Sequence, residues 1–210
     1  MKTHLYICRH GNTFLPEEAP RRVGARTDLP LTPIGHKQAI ALGTHFKQLG
    51  VSPSLILTGP LERTVATALA IAETASYLAP LQIDDRLKEI DYGPDENKEE
   101  SIVVERVGAE SLNLWEKEGV PALGWIASPE ALFSQWEMIG HEIIQQYPGR
   151  DVIAVTSNGI ARFACALFGG LEALKAQGGL KLRTGAYGLI THTPDNGWEL
   201  QEWDLRPEKK

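Results

Sequence analysis

The sequence predicts an α/β protein: a three-layer α/β/α sandwich whose sheet is mostly parallel with an antiparallel edge. Three observations carry this. Short runs rich in β-formers alternate with helical stretches along the 210 residues. Residues 151–156 (Asp-Val-Ile-Ala-Val-Thr) form the strongest strand signal and run through Ser157-Asn158-Gly159 into an apolar helix over 160–168. Near the end, Asp195-Asn196-Gly197 separates strands at 186–191 and 198–203, an Asn-Gly hairpin that supplies the antiparallel edge.

Taken in order, residues 3–8 (Thr-His-Leu-Tyr-Ile-Cys) predict a first strand, closed by the turn chemistry of Gly11-Asn12-Thr13. The polar loop 12–31 is too long for a simple connection, and loops of that length are usually functional. Thr32-Pro33 is an N-cap followed by proline at the first helical position, and Ile34, Ala39, Leu42, Phe46 and Leu49 give the helix its apolar face. Gly50 stops it. A buried strand over 55–58 ends at Gly59-Pro60, and the alanine-rich stretch 61–79 predicts a helix. A short strand at 81–83 precedes the loop 87–97. Residues 98–147 read as helix, broken near Gly119-Val120-Pro121 and Ser128-Pro129. A single catalytic domain over 1–206 is expected, with 207–210 a frayed tail.

Composition narrows the function. Hydrophobic residues make up 42% and charged residues 23%, ordinary for a globular protein. No apolar run approaches the roughly 20 residues that span a bilayer, and Arg9 ends the only early apolar stretch, so no signal peptide is expected. Cys8 and Cys165 read as buried thiols, which fits a reducing cytoplasm. The net charge of −6 argues against a nucleic-acid or membrane surface as partner. Yet residues 1–65 hold eight Lys/Arg against four acids, while residues 84–118 hold twelve acids against five bases. A cationic crevice in an acidic protein suits a small anionic substrate.

The chemistry gathers at strand ends. Arg9, His10, Asn12 and Thr13 follow the first strand, Arg63 lies in the first helical turn after the second, and Ser157, Asn158 and Gly159 follow the strand ending at Thr156. In a parallel sheet these ends share one edge, where open α/β sheets bind ligands. A neutral imidazole there attacks phosphorus, guanidinium forks hold phosphoryl oxygens, and helix N-termini offer N–H groups. Glu89 is the best candidate for the acid that protonates the leaving oxygen. The competing structural roles are a turn histidine, ion-paired arginines, a solvated loop carboxylate, and a helix N-cap at Asn158.

These pieces resemble the histidine phosphatase superfamily, which includes the cofactor-dependent phosphoglycerate mutases. The likeness lies in Ile7-Cys8-Arg9-His10-Gly11-Asn12-Thr13, Val23-Gly24, and Asp28-Leu29-Pro30-Leu31-Thr32-Pro33-Ile34-Gly35. It continues in Thr58-Gly59-Pro60-Leu61-Glu62-Arg63-Thr64, Thr67-Ala68, and Leu87-Lys88-Glu89-Ile90-Asp91-Tyr92-Gly93. The resemblance implies His10 as the phosphorylated nucleophile, Arg9 and Arg63 as phosphate clamps and Glu89 as acid-base residue. Asn12, Thr13, Gly24, Asn158 and Gly159 are the expected phosphate-binding set, with no metal or other cofactor. Two departures stand out. Thr156-Ser157-Asn158-Gly159 has asparagine where the family has a second histidine, and Pro94-Asp95-Glu96-Asn97-Lys98 replaces its usual Trp-Glu-Gly-like segment. An amide donates a hydrogen bond but carries no charge. The expected activity is phosphate monoester hydrolysis on a small phosphorylated substrate. The alternatives are a mutase and a feebly catalytic phospho-ligand-binding regulator; a homodimer is also open. Specificity is expected in segments 14–30 and 94–128.

Overall fold

A computed structural model describes residues 1–207, so most of the expected tail lies outside the described residues. Six strands form one sheet: β1 (Thr3–Arg9), β2 (Pro53–Thr58), β3 (Leu81–Ile83), β4 (Asp151–Thr156), β5 (Tyr187–Thr193) and β6 (Gly197–Leu205). Their spatial order is β3-β2-β4-β1-β5-β6. The first four pair in parallel, and β5 and β6 pair antiparallel at one edge. The expected architecture is therefore present.

Side chains alternate faces along the strands, and each set joins its own core. Leu5 and Ile7 of β1, Leu55 and Leu57 of β2, and Val152 and Ala154 of β4 pack on one side. Tyr6, Cys8, Ile56, Ile153 and Val155 pack on the other. Helices α1 (Pro33–Gln48) and α2 (Glu62–Ala75) cover the second face through Leu42, Phe46, Ala68 and Ile71. The first is covered by α3 (Glu100–Glu118), α4 (Pro129–Gln146), α5 (Asn158–Ala161) and α6 (Gly170–Ala176), through residues such as Trp115, Trp136 and Leu174.

The Thr32 hydroxyl accepts the Gly35 N–H at 3.1 Å with Pro33 in the first turn, the expected α1 start. Three details differ from the sequence reading. Helix α2 stops at Ala75 because Ser76 turns left-handed (φ 60°) and its N–H closes on the Ala72 and Glu73 carbonyls. Helix α3 is broken at Gly108, whose φ of 80° and ψ of 150° only glycine adopts readily. The predicted helix 160–168 is the single turn α5 followed by 3₁₀ turns over Arg162–Leu167, and α6 was not foreseen.

Parallel pairing sets Arg9 opposite Thr156 and Thr58 opposite Val155, so the C-terminal ends of β1, β2 and β4 lie along one edge. The His10 N–H continues this pattern, donating to the Thr156 carbonyl at 3.1 Å. Among the described residues no helix is long and apolar enough to cross a membrane.

Candidate active site

His10 follows β1 directly and is buried. Its Nδ1 lies 2.7 Å from the Gly11 carbonyl oxygen. A carbonyl only accepts, so Nδ1 carries the proton and Nε2 keeps its lone pair. Burial, with the charges of Arg63 and Arg9, holds the imidazole pKa well below its ordinary 6.5. The ring is neutral at pH 7. The turn is set by close backbone passage: a Cβ on Gly11 would stand 2.3 Å from the Gly35 carbonyl oxygen, and one on Gly35 2.2 Å from that of Asn12. Glycine at both positions lets the start of α1 lie against the loop after β1.

Glu89 is buried beside this site. Its two carboxylate oxygens accept the N–H groups of Ile90 at 2.9 Å and Gly159 at 3.1 Å. Burial raises its pKa above 4.5, although those N–H groups and the Arg63 and Arg9 charges oppose it. A Cβ on Gly159 would lie 2.1 Å from the Glu89 carboxylate, so this glycine admits the acid.

One cavity of about 390 Å³ is lined by Arg9, His10, Asn12, Thr13, Glu89 and Asn158, six of the residues the sequence singled out. Arg63, Gly24 and Gly159 are not among its lining residues. Arg63 is fully buried and donates through its Nη atoms to the carbonyls of Thr27 (2.8 Å) and Gly24 (3.2 Å). The Gly24 N–H is taken by Glu96 at 3.0 Å, and a Cβ there would meet the same carboxylate. As direct phosphate ligands Gly24 and Gly159 are thus replaced by a supporting role, since carboxylates hold their N–H groups. Arg9 donates Nη1 to the Leu182 carbonyl at 2.9 Å. The Nε atoms of Arg9 and Arg63 are buried and have no protein partner among the described residues; of the two, only Arg9 lines the cavity, where its guanidinium suits an anion.

Asn158 is the first residue of α5, with Ser157 at the cap position, so the N-cap alternative fails. Its side chain turns away from the helix: Oδ1 accepts the Leu182 N–H at 2.8 Å. That bond fixes the amide's orientation and leaves Nδ2 as a donor at the cavity wall. The Asn12 amide oxygen likewise accepts the Thr184 hydroxyl. Residues 182–184 therefore position three site side chains: Thr184, which the sequence marks as a candidate for the pocket wall, lines the cavity, whereas Leu182 acts through its main chain, which no sequence signal announces. Arg162 was also missed. It is fully buried one turn after Asn158, with Nε 3.3 Å from the Asn158 carbonyl. Its signal was an arginine inside an apolar run.

The unusual segment after Tyr92 is an anchor. Glu96 accepts from the N–H groups of Gly24 and Arg26 at 3.0 Å, the Thr27 hydroxyl at 2.8 Å and the Tyr92 N–H at 3.0 Å. Arg26 pairs with Asp91 outside the cavity, whereas Arg21 and Arg22 line it.

The sequence model of the histidine phosphatase superfamily (branch 1) matches residues 5–206. The chain belongs to that superfamily. A relative called probable phosphoglycerate mutase GpmB, from Salmonella arizonae, is 34% identical over 105 residues, 50% of this chain and 46% of the relative. The chain thus matches about half the length of such curated relatives. Among superfamily-like folds, mycobacterial hydrolase 1 has a TM-score of 0.80 at 20% identity, with 98% of this chain and 100% of that one covered. Mycobacterial glucosyl-3-phosphoglycerate phosphatase has a TM-score of 0.78 at 20% identity, covering 97% and 99%. A putative α-ribazole-5′-phosphate phosphatase from Escherichia coli gives 0.73 at 21%, covering 99% and 98%. At these identities the structural likeness concerns the fold.

Proposed function

We propose that this protein hydrolyses phosphate monoesters by two displacements through phospho-His10. The observation that carries this is the His10 Nδ1–H bond to Gly11, which leaves Nε2 free and facing a cavity shared with Arg9, Glu89 and Asn158. Nε2 attacks phosphorus while the alcohol oxygen departs. Arg9 and the Asn158 amide hold the equatorial oxygens, with the Arg63 charge behind them. Glu89 protonates the leaving oxygen, then takes a proton from the water that cleaves phospho-His10.

The two pKa shifts support these roles. With ordinary values of 6.5 and 4.5, a neutral imidazole and a protonated carboxyl would coexist only as a minor form. Lowering the first and raising the second increases that form's share. A kcat/KM profile should therefore fall on the acid side as His10 protonates and on the basic side as Glu89 ionises.

His10→Ala should reduce p-nitrophenyl phosphate turnover by about 10⁴-fold or more. Quenched wild-type enzyme should carry acid-labile phosphate on residue 10, released within the turnover time. Normal turnover by the variant ends this mechanism. Transfer of the phosphoryl group to a second hydroxyl in place of water would instead identify a mutase, the activity named for the GpmB relatives.

A further inference from the structure

Beyond the phosphoryl-binding residues, the cavity wall is made of Arg22, Tyr92, Glu100, Trp115 and Glu116, with Arg21 and Lys181 toward solvent. From this wall we infer that Glu116 restricts the substrate's alcohol to neutral, hydroxyl-bearing groups and turns away esters that carry a second anion. The inference rests on the phosphatase reading above and names the class of substrate for that site.

The two guanidinium groups nearest Glu116, Arg22 on the wall and Arg162 buried beneath it, are both faced by carboxylates. Arg22 is bonded to Glu100 at 2.5 Å and lies 3.9 Å from Glu116. Its guanidinium also sits over the rings of Tyr92 and Trp125. Arg162 is fully buried, stacks 4.4 Å above Trp115 and donates to the Trp115 carbonyl at 2.6 Å. Its Nη2 has no hydrogen-bond partner, and the nearest acid is Glu116 at 3.6 Å. Glu116 thus stands against both guanidinium groups without a close bond to either. On the cavity wall its carboxylate is a negative charge that repels a second anion.

Helix stability does not account for a glutamate here. Glu116 lies in the last turn of α3, which ends at Glu118, where a negative charge opposes the helix dipole. The remaining cations are weak anchors. Arg21 leans on the Phe14 ring and Lys181 is exposed, so solvent screens them and they steer an anion more than they hold it. A hydroxyl, by contrast, donates to Glu116 or Glu100, beside a wall that the buried Tyr92 and Trp115 rings back. About 390 Å³ is near the small end of ligand pockets, which limits the alcohol to a few carbons or one sugar ring.

A matched pair of three-carbon esters tests this: glycerol 3-phosphate and 3-phosphoglycerate, which differ by a hydroxymethyl group against a carboxylate. Wild type should favour glycerol 3-phosphate in kcat/KM by about tenfold or more, the effect of one partly screened like-charge contact. Glu116→Gln should shrink that ratio by about tenfold, and Glu116→Asp should keep it. Equal use of both esters by wild type, or a ratio unmoved in Glu116→Gln, overturns the inference. If p-nitrophenyl phosphate is hydrolysed while that preference is absent, the phosphatase reading stands and this one falls. If no ester is hydrolysed, both fall.

Discussion

The Asn158 amide shows how one side chain can serve two masters. Its oxygen is held by the Leu182 N–H and its nitrogen is left as a donor at the cavity wall; in the proposed mechanism that donor brings no charge to a transition state that gathers negative charge on oxygen. A neutral histidine could accept the same N–H through one ring nitrogen and donate through the other; protonated, it gives up the Leu182 bond but brings a positive charge to the cavity. Asn158→His should therefore raise kcat about tenfold on the acid side of the profile and little above neutrality, measured on p-nitrophenyl phosphate. A rate lowered at every pH would mean that the site is built around the amide. At these positions the sequence was informative because the chemistry is tied to residue type: an imidazole, a carboxyl and guanidinium groups next to strand ends. It was silent about Leu182, whose contribution is its backbone, and about Glu116, one acid among many in an acidic stretch.

The loop 12–31 is organised by a segment far from it in sequence. Glu96 gathers donors from Gly24, Arg26 and Thr27, and Arg63 binds the Gly24 and Thr27 carbonyls from the opposite side. Two side chains thus satisfy half of the polar backbone groups of residues 24–27. Glu96→Ala leaves four donors without their acceptor and should cost about 2 kcal/mol of stability, read from urea denaturation. Hydrogen exchange at the Gly24 and Arg26 amides should accelerate in the same variant, and unchanged protection there would show that Glu96 is dispensable. Periodicity located α1, α2 and the six strands because packing faces repeat. It could not distinguish a lid from an anchor at 94–98, since the answer depends on which donors fold back within reach. The break of α3 at Gly108 was equally hidden, because a lone glycine inside a helical pattern is normally tolerated.

The molecule as a whole should be sensitive to acid. Burial pushes Asp84 and Asp95 upward, but the Arg86 bonds to Asp84, and Arg106 with the Trp125 N–H on Asp95, prevail and hold both carboxyls low. Arg86 also lowers Glu142. Groups depressed on folding stabilise the protein above their unfolded pKa and lose that contribution as pH falls through the folded value. His10, depressed from 6.5, adds a penalty once the unfolded ring can protonate. Glu89, which is raised, works in the opposite direction as its acid form becomes dominant. The depressed carboxyls act below their unfolded values of 3.8 and 4.5, so the urea midpoint should drop most steeply as pH falls from about 4.5 to 3. A midpoint that rises over this range would refute the balance. The fold class itself was readable from alternation alone, because only a parallel centre with a returning hairpin accommodates these elements in this order.

Strand β1 lies between β4 and β5, and its partners are residues 151–156 and 187–192. On a ribosome, the residues of β1 must therefore wait until residue 151 and beyond are made before finding either neighbour. His10, carried at the end of that strand, has no pocket until then. A nascent chain stalled after α4 should expose an unpaired apolar ribbon to chaperones and bind no phosphate analogue, and competence should arrive late, with the synthesis of the closing hairpin.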